Sequence, residues 1–412
     1  MWRCSAVGVV AVLAGSSVGC VGSGPTEPPA SVHGPRSPSG NVGPLQSIRC
    51  PPGAEHIGAG ADIQAAVDAS PGGTKFCLRK GTWRVTAPIT PKTGDHFIGL
   101  YGATLDGSDL RTTDVNQGVF TAHNQDIDNV IIRNLVIRNC PQRAIHAFHD
   151  FSEGWVIDHT EIYGCRMGIH HGNSFTITAN YVHDNWQYGI GGYQSTGSLI
   201  EGNEFSFNAA RYESFPGDSA VSKWAQTTNT SVVGNVFHDN YWSAIWFDGQ
   251  NAVVLIENNV VVNNAGNGIF YEVSGQAIIR RNRVVGSSER NIYLSEAHQT
   301  SVYDNVLSGS PQGIALFQDG DRIREGELKN NVVRDNTVVV PSGGQAVSLT
   351  CSNMGSEACS TYSTGRANRF QGNQYVVPEL GGTWWYWNQN VQTWEGWQAE
   401  GQDTAGAIEE KP

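Results

Sequence analysis

Lys223, Trp246, Asp248, Glu272 and Tyr293 form the most reactive constellation in this chain, with Glu296 and His298 just beyond. Two carboxylates held close together repel unless one keeps a proton or a cation bridges them. Three chemistries suit such a group. In a lyase, a divalent ion such as calcium on Asp248 and Glu272 neutralises a uronate carboxylate and acidifies the adjoining C–H. Lys223 or Tyr293 then takes the proton. In a retaining glycoside hydrolase, Asp248 and Glu272 are nucleophile and acid. In a non-catalytic, adhesive protein, Trp246, Phe270 and Tyr293 stack on sugar faces. Tyr193, Trp246, Phe270, Glu296 and His298 complete a substrate-binding set.

These residues are distant in sequence, so the fold must stack them, and an internal repeat does so. An Asn-type step recurs at Asn134, His159, Asn180, Asn203, Asn235, Asn259, Asn282, Asn305 and Asn336. Spacings of about 21 to 25 residues, with two longer steps, define a solenoid. Coils this short hold strands rather than helices. The fold class is therefore all-β, a right-handed parallel β-helix. Small-residue–Ile pairs such as Ala144-Ile145, Gly168-Ile169 and Gly268-Ile269 mark one inward column. Counting outward from them gives a column His146, His170, Gly191, Lys223, Trp246, Phe270, Tyr293 and Ala315. A second outward column carries Tyr193, Ala225, Asp248, Glu272, Ser295 and Phe317. One register is a choice: starting the coil at Ser222 rather than Val221 keeps the Lys223 ammonium out of the core and turns Trp224 in. The longer steps insert Ala209 to Ser219 and Gln318 to Leu328 as loops that wall a groove. His170-His171 reads as structural, with a second site as the alternative.

A solenoid must cap its ends. Residues 61–68 read as a short amphipathic helix, and Trp384, Trp385, Trp387, Trp394 and Trp397 shield the last coil. Arg3, the apolar run Ala6 to Leu13 and the Ser17-Val18-Gly19-Cys20 ending make residues 1–20 a signal peptide with a lipobox. Cys20 is the lipidation site, the lipid is the sole membrane partner, and the protein sits at a bacterial cell surface or outside the cell. Gly-, Pro- and Ser-rich residues 21–45 form a disordered tether, 46–400 the β-helix with its caps, and 401–412 a flexible tail. In an oxidising compartment the other cysteines pair by position as Cys50–Cys77, Cys140–Cys165 and Cys351–Cys359. A formal charge of −12 argues against nucleic acid.

The "ADIQAAVDASPGGTKFCLRKGTWRV" start, the "GATLDGS" segment and the coil pattern resemble the pectate-lyase-like superfamily of bacterial β-helix proteins. "GIFYEVSGQAIIRRNRV" and "WQAEGQD" are similar to a secreted branch of it. The resemblance implies the fold over residues 50–400 and a polysaccharide as partner. Trp155-Val156-Ile157-Asp158-His159 is similar to the WIDH stretch of pectate lyases with one residue inserted, and the arginine-bearing strand that accompanies it there is missing. The NTD, DD and GHG segments of polygalacturonases are absent too. The expected function is cleavage or modification of a uronate polysaccharide, lyase first and hydrolase second, by a monomer.

Overall fold

The structure, a computed structural model, describes residues 40–122, 124–211 and 219–411. Cys20, the signal peptide and most of the expected tether lie outside the described residues. Each coil contributes one short strand to each of three sheets, A and B with 13 parallel strands and C with 12, the last of which, Asn390–Gln392, pairs antiparallel with Trp385–Trp387. Inward side chains repeat their positions from coil to coil. In sheet C, Ile145, Ile169, Ile190, Ser222, Ile245, Ile269, Ile292, Ile314 and Val347 pair in one register. This column is buried throughout, so a slip of one residue would expose a whole file of apolar groups.

The turns are set by a different column. Asn180, Asn203, Asn235, Asn259, Asn282, Asn305, Asn336 and Asn373 are all buried. Each Nδ2–H donates to the Oδ1 of the next, at 2.8–3.1 Å. Each also donates to a main-chain carbonyl of the preceding coil, as Asn203 does to Ile177 at 2.8 Å. The left-handed turn residue is the one before, for example Ala179, Asn258 or Asp304. This corrects two assignments. Asn134 and His159 themselves have positive φ, so they occupy the turn position, and Thr160 takes the column place next to Asn180. A second column runs Asn185, Asn208, Asn240 and Asn264. Cys140 and Cys165 continue it toward the N-terminus, where the Cys165 N–H donates to Asn185 Oδ1 at 3.0 Å. The disulfide there replaces an amide link between coils. Cys50–Cys77 and Cys351–Cys359 are bonded as well.

Both caps form. Helix α1 (Ile63–Ala69) is started by Asp62, whose side chain accepts from the Ala65 N–H, and it buries Ile63 and Val67. Trp385, Trp387 and Trp397 are buried at the other end, with Phe370 and Tyr375 packed edge-on against them. Neither flank is wholly free, contrary to the sequence reading. At the N-terminal flank, the Gly43 N–H donates to the Ala179 carbonyl at 2.8 Å, and Leu45 exchanges hydrogen bonds with the Asn134 amide. At the C-terminal flank, Ala407–Glu410 pairs in parallel with Gln374–Val377. Between those strands Asp403 ends the amide column. Its Oδ1 accepts from the N–H and Nδ2 of Asn373 at 2.9 Å, and its Oδ2 from Tyr375 Oη at 2.7 Å and Trp397 Nε1 at 3.1 Å. The proposed tail is therefore part of the cap, because the last amide needs an acceptor.

Four donors converge on Asp403, so Asp403→Asn aims an NH₂ group at a donor. The expected loss is about 1.5–3 kcal/mol, read by chemical denaturation, and Asn373→Asp should not restore it.

Candidate functional site

The chosen register of Lys223 is the one found: Lys223 pairs with Gly191 on one side and Trp246 on the other. Trp224 is fully buried, stacked on Phe247 at 4.6 Å, and its Nε1–H donates to His171 Nε2 at 2.8 Å. That bond fixes the His171 proton on Nδ1, which donates to the Gly172 carbonyl. Burial pushes the His171 pKa down to about 4. His171 is thus a neutral core histidine.

On the outer face of sheet C, Asp248 and Glu272 are direct partners on neighbouring strands, and each is matched to a cation. Lys223 Nζ lies 3.1 Å from Asp248 Oδ2 and 3.9 Å from the centre of the Trp246 ring. The Trp246 Nε1–H donates to Glu272 Oε2 at 2.9 Å, and Arg322 Nη1 pairs with Glu272 Oε1. Arg322 also reaches Glu296 Oε2 at 3.7 Å. Glu296 is fully buried, accepting from Ser295 Oγ at 2.6 Å and from the Asp319 N–H at 2.7 Å. Burial first, and then the Asp248 charge, push the Glu272 pKa up to about 7 against the pull of Arg322. Burial raises Glu296 as well.

The aromatic residues form a continuous stack. Trp246 and Phe270 lie 5.1 Å apart, Phe270 and Tyr293 4.6 Å, and the Arg290 guanidinium sits 4.2 Å from the Tyr293 ring. Their faces point at one another along the helix axis, which leaves edges rather than faces toward a sugar. Burial also raises the Tyr293 pKa above its ordinary value, so its phenol is a poor base. His298 lies away from this group, at the next corner. Its backbone pairs with Gly275 and Lys329, and a Cβ on Gly275 would sit 2.3 Å from its ring.

Sequence reasoning passed over two features. Arg322 is one. Its signal was the charged run inserted from Gln318 to Leu328 in a chain with only 16% charged residues. The other is Gly191, an outward position with no side chain between His170 and Lys223. The gap it leaves opens a depression of about 220 Å³ lined by Arg143, His170, Tyr188, Gly191, Tyr193 and Lys223. A Cβ on Gly191 would lie 2.9 Å from the Lys223 carbonyl oxygen and 3.8 Å from His170 Cδ2. The Arg143 guanidinium donates to the His146 ring at 3.0 Å, and that ring stacks on His170 at 5.5 Å. The imidazole beside the gap is thereby held by its neighbours.

Among the described residues, only Cys50, His56 and Cys77 gather three metal-type donors within reach of one another, and both sulfurs are spent in a disulfide.

The family model described as "Right handed beta helix region" matches residues 117–284 and 219–391. The chain belongs to this family. Among solved structures, this β-helix is similar to the mannuronan C-5 epimerase AlgE4 A-module of Azotobacter vinelandii. The two are 16% identical with a TM-score of 0.62, and the match covers 87% of this chain and 98% of that one. It is also similar to a point mutant of the periplasmic alginate epimerase AlgG (13% identity, TM-score 0.52, 73% and 84% covered). A third is XylC in complex with xylose (10% identity, TM-score 0.53, 85% and 82% covered). At these identities the likeness is one of fold. No curated protein matches the chain.

The raised Glu272 carboxyl has a signed consequence. Between its ordinary value of 4.5 and about 7, the folded state holds a proton that the unfolded chain releases. Stability from this group is complete below that window and falls as pH rises through it. Relative to Glu272→Gln, wild type should lose stability from acid to neutral pH in paired thermal melts.

Proposed function

We propose that this β-helix modifies a uronate-containing polysaccharide at the depression over Gly191, by removing the proton α to the sugar carboxylate. The carrying observation is the make-up of that depression: in a chain of net charge −12, Lys223 lines one end and Arg143, three coils away, the other, with His170 and Tyr193 between them. A local cationic site on an acidic protein suits an anionic sugar. His170 and Lys223 stand two coils apart, about 10 Å between backbones, with the missing Gly191 side chain as the space for one sugar ring.

The roles then shift from those expected on sequence alone. Lys223, placed by Asp248 and the Trp246 ring, receives the sugar carboxylate rather than acting as base. His170 takes the α-proton, and the C–H electrons form an enolate stabilised by that ion pair. From the enolate two outcomes share the same first step. Expulsion of the neighbouring glycosidic oxygen, with Tyr193 supplying its proton, gives a lyase; return of a proton from Tyr193 on the opposite face gives an epimerase. The names of two structurally similar proteins, epimerases of mannuronan and alginate, agree with a uronate substrate. Calcium does not fit the pair Asp248 and Glu272, because Lys223 and Arg322 already neutralise them and the Trp246 N–H can only donate. We therefore derive no step through a metal. The same engagement of both Glu272 oxygens weighs against the hydrolase, and the aromatic faces turned on one another weigh against simple sugar stacking.

Protein from residue 40 onward, given a panel of acidic and neutral polysaccharides, should act on a polyuronate with calcium or with chelator alike. Unsaturated-uronate absorbance reads the lyase, and exchange of solvent deuterium into the sugar reads the epimerase. His170→Ala and Tyr193→Phe should each cut turnover by about 10²–10⁴-fold, and Lys223→Ala should raise KM and lower kcat together, because its ion pair holds the substrate and stabilises the enolate. New reducing ends without unsaturation or exchange would return the case to a hydrolase.

A further inference from the structure

We propose that Arg322, on the loop inserted between Gln318 and Leu328, is a positioning residue that sets the placement of Lys223 at the groove through Glu272 and Trp246. The biological meaning of that placement rests on the function proposed above; the mechanical link does not.

The path is short, and each contact is directional. Arg322 pairs with Glu272 Oε1, Glu272 Oε2 accepts the Trp246 indole N–H, and the indole face carries the Lys223 ammonium. Without Arg322, the Glu272 carboxylate would lie between Asp248 and Glu296 with no cation of its own. It would then take up a proton or swing toward solvent. A departing Glu272 deprives the Trp246 N–H of its acceptor, and the ring that supports Lys223 loses its tilt.

The loop is built to present Arg322 in one pose. Buried Gln318 staples its base, donating to the Asp319 and Gly326 carbonyls and accepting from the Leu328 N–H at 2.7 Å. A short turn, Gly320–Arg322, is started by Asp319, whose Oδ1 accepts from the Asp321 N–H and from Asn353 Nδ2, both at 2.9 Å. Two glycines let the loop press down: a Cβ on Gly320 would sit 2.2 Å from the Asn353 carbonyl oxygen, and one on Gly326 2.7 Å from that of Glu296. Glu325 holds the far side of the guanidinium at 3.2 Å. An arginine on a mobile loop could not fix an indole, but this one can.

The test reads Lys223 directly. Timed acetylation of the full folded protein with acetic anhydride, mapped by peptide mass spectrometry, gives the Lys223 rate relative to exposed Lys75 and Lys80. In Arg322→Ala the relative rate should rise severalfold, and Arg322→Lys should restore part of the protection. Trp246→Phe, which leaves the Arg322–Glu272 pair in place, should reproduce the rise and stands in if Arg322→Ala does not fold. Unchanged Lys223 labelling in folded Arg322→Ala, or in Trp246→Phe where it stands in, overturns the proposal. Raised labelling with a higher KM on polyuronate supports both the link and the groove. Raised labelling in a protein inert toward polyuronates upholds the link and removes the function assigned to the groove.

Discussion

A side-chain amide inside a dry coil must find partners for two N–H donors and a carbonyl, and in this chain the partner is the same amide one coil away. Each asparagine of the long column also binds the backbone on both sides of itself. The turn after each sheet A strand from Thr176–Thr178 onward is thereby held at a fixed height and rotation. Every outward position inherits that precision, because a strand whose ends are pinned cannot slip by one residue without turning its apolar file to water. The groove on sheet C therefore owes its geometry to a column on a different wall of the solenoid. Where the second column runs out of asparagines toward the N-terminus, a disulfide takes over the same coil-to-coil contact.

On that frame the charges are arranged to cancel locally. Asp248, Glu272 and Glu296 face Lys223 and Arg322, so one proton more leaves the group neutral. Burial supplies the reason to keep that proton, and Glu272 holds it close to neutral pH. Charge balance by side chains also separates two tasks that a sequence view merges. Glu272, buried under Arg322 and bonded to Trp246, supports the groove from behind. Lys223, at its edge, meets what enters.

Much of this could be read from the residues alone. The coil period follows from repeat spacing, the three disulfides from cysteine position, and the tryptophan cap from the need to close a solenoid. The outward columns and the register of Lys223 follow from inward–outward alternation and the cost of burying an ammonium. The remainder was hidden for identifiable reasons. Asn134 and His159 look like column members, yet the left-handed turn one step earlier uses the same residue types. Gly191 is informative only by lacking a side chain, once its neighbours in the column are known to be His170 and Lys223. Arg322 comes from an insertion, where no repeat predicts direction. The stack of Trp246, Phe270 and Tyr293 is visible in sequence, but the tilt that closes its faces is not. Asp403 looked like part of a tail because its role is defined entirely by what ends against it.

That carboxylate gives the solenoid a direction. The amide-to-amide bonds of the column all run the same way, from one coil to the next toward the C-terminus, so the column has a giving end and an accepting end. Asp403 takes what the giving end offers and has nothing to pass on. A second molecule arriving at that face meets an acceptor already filled, beneath a tryptophan lid. Stacked coils are open-ended by construction and could in principle continue from copy to copy into a fibre. Here the pattern that lets one coil follow another ends on a carboxylate that only accepts, closed over by the buried tryptophans.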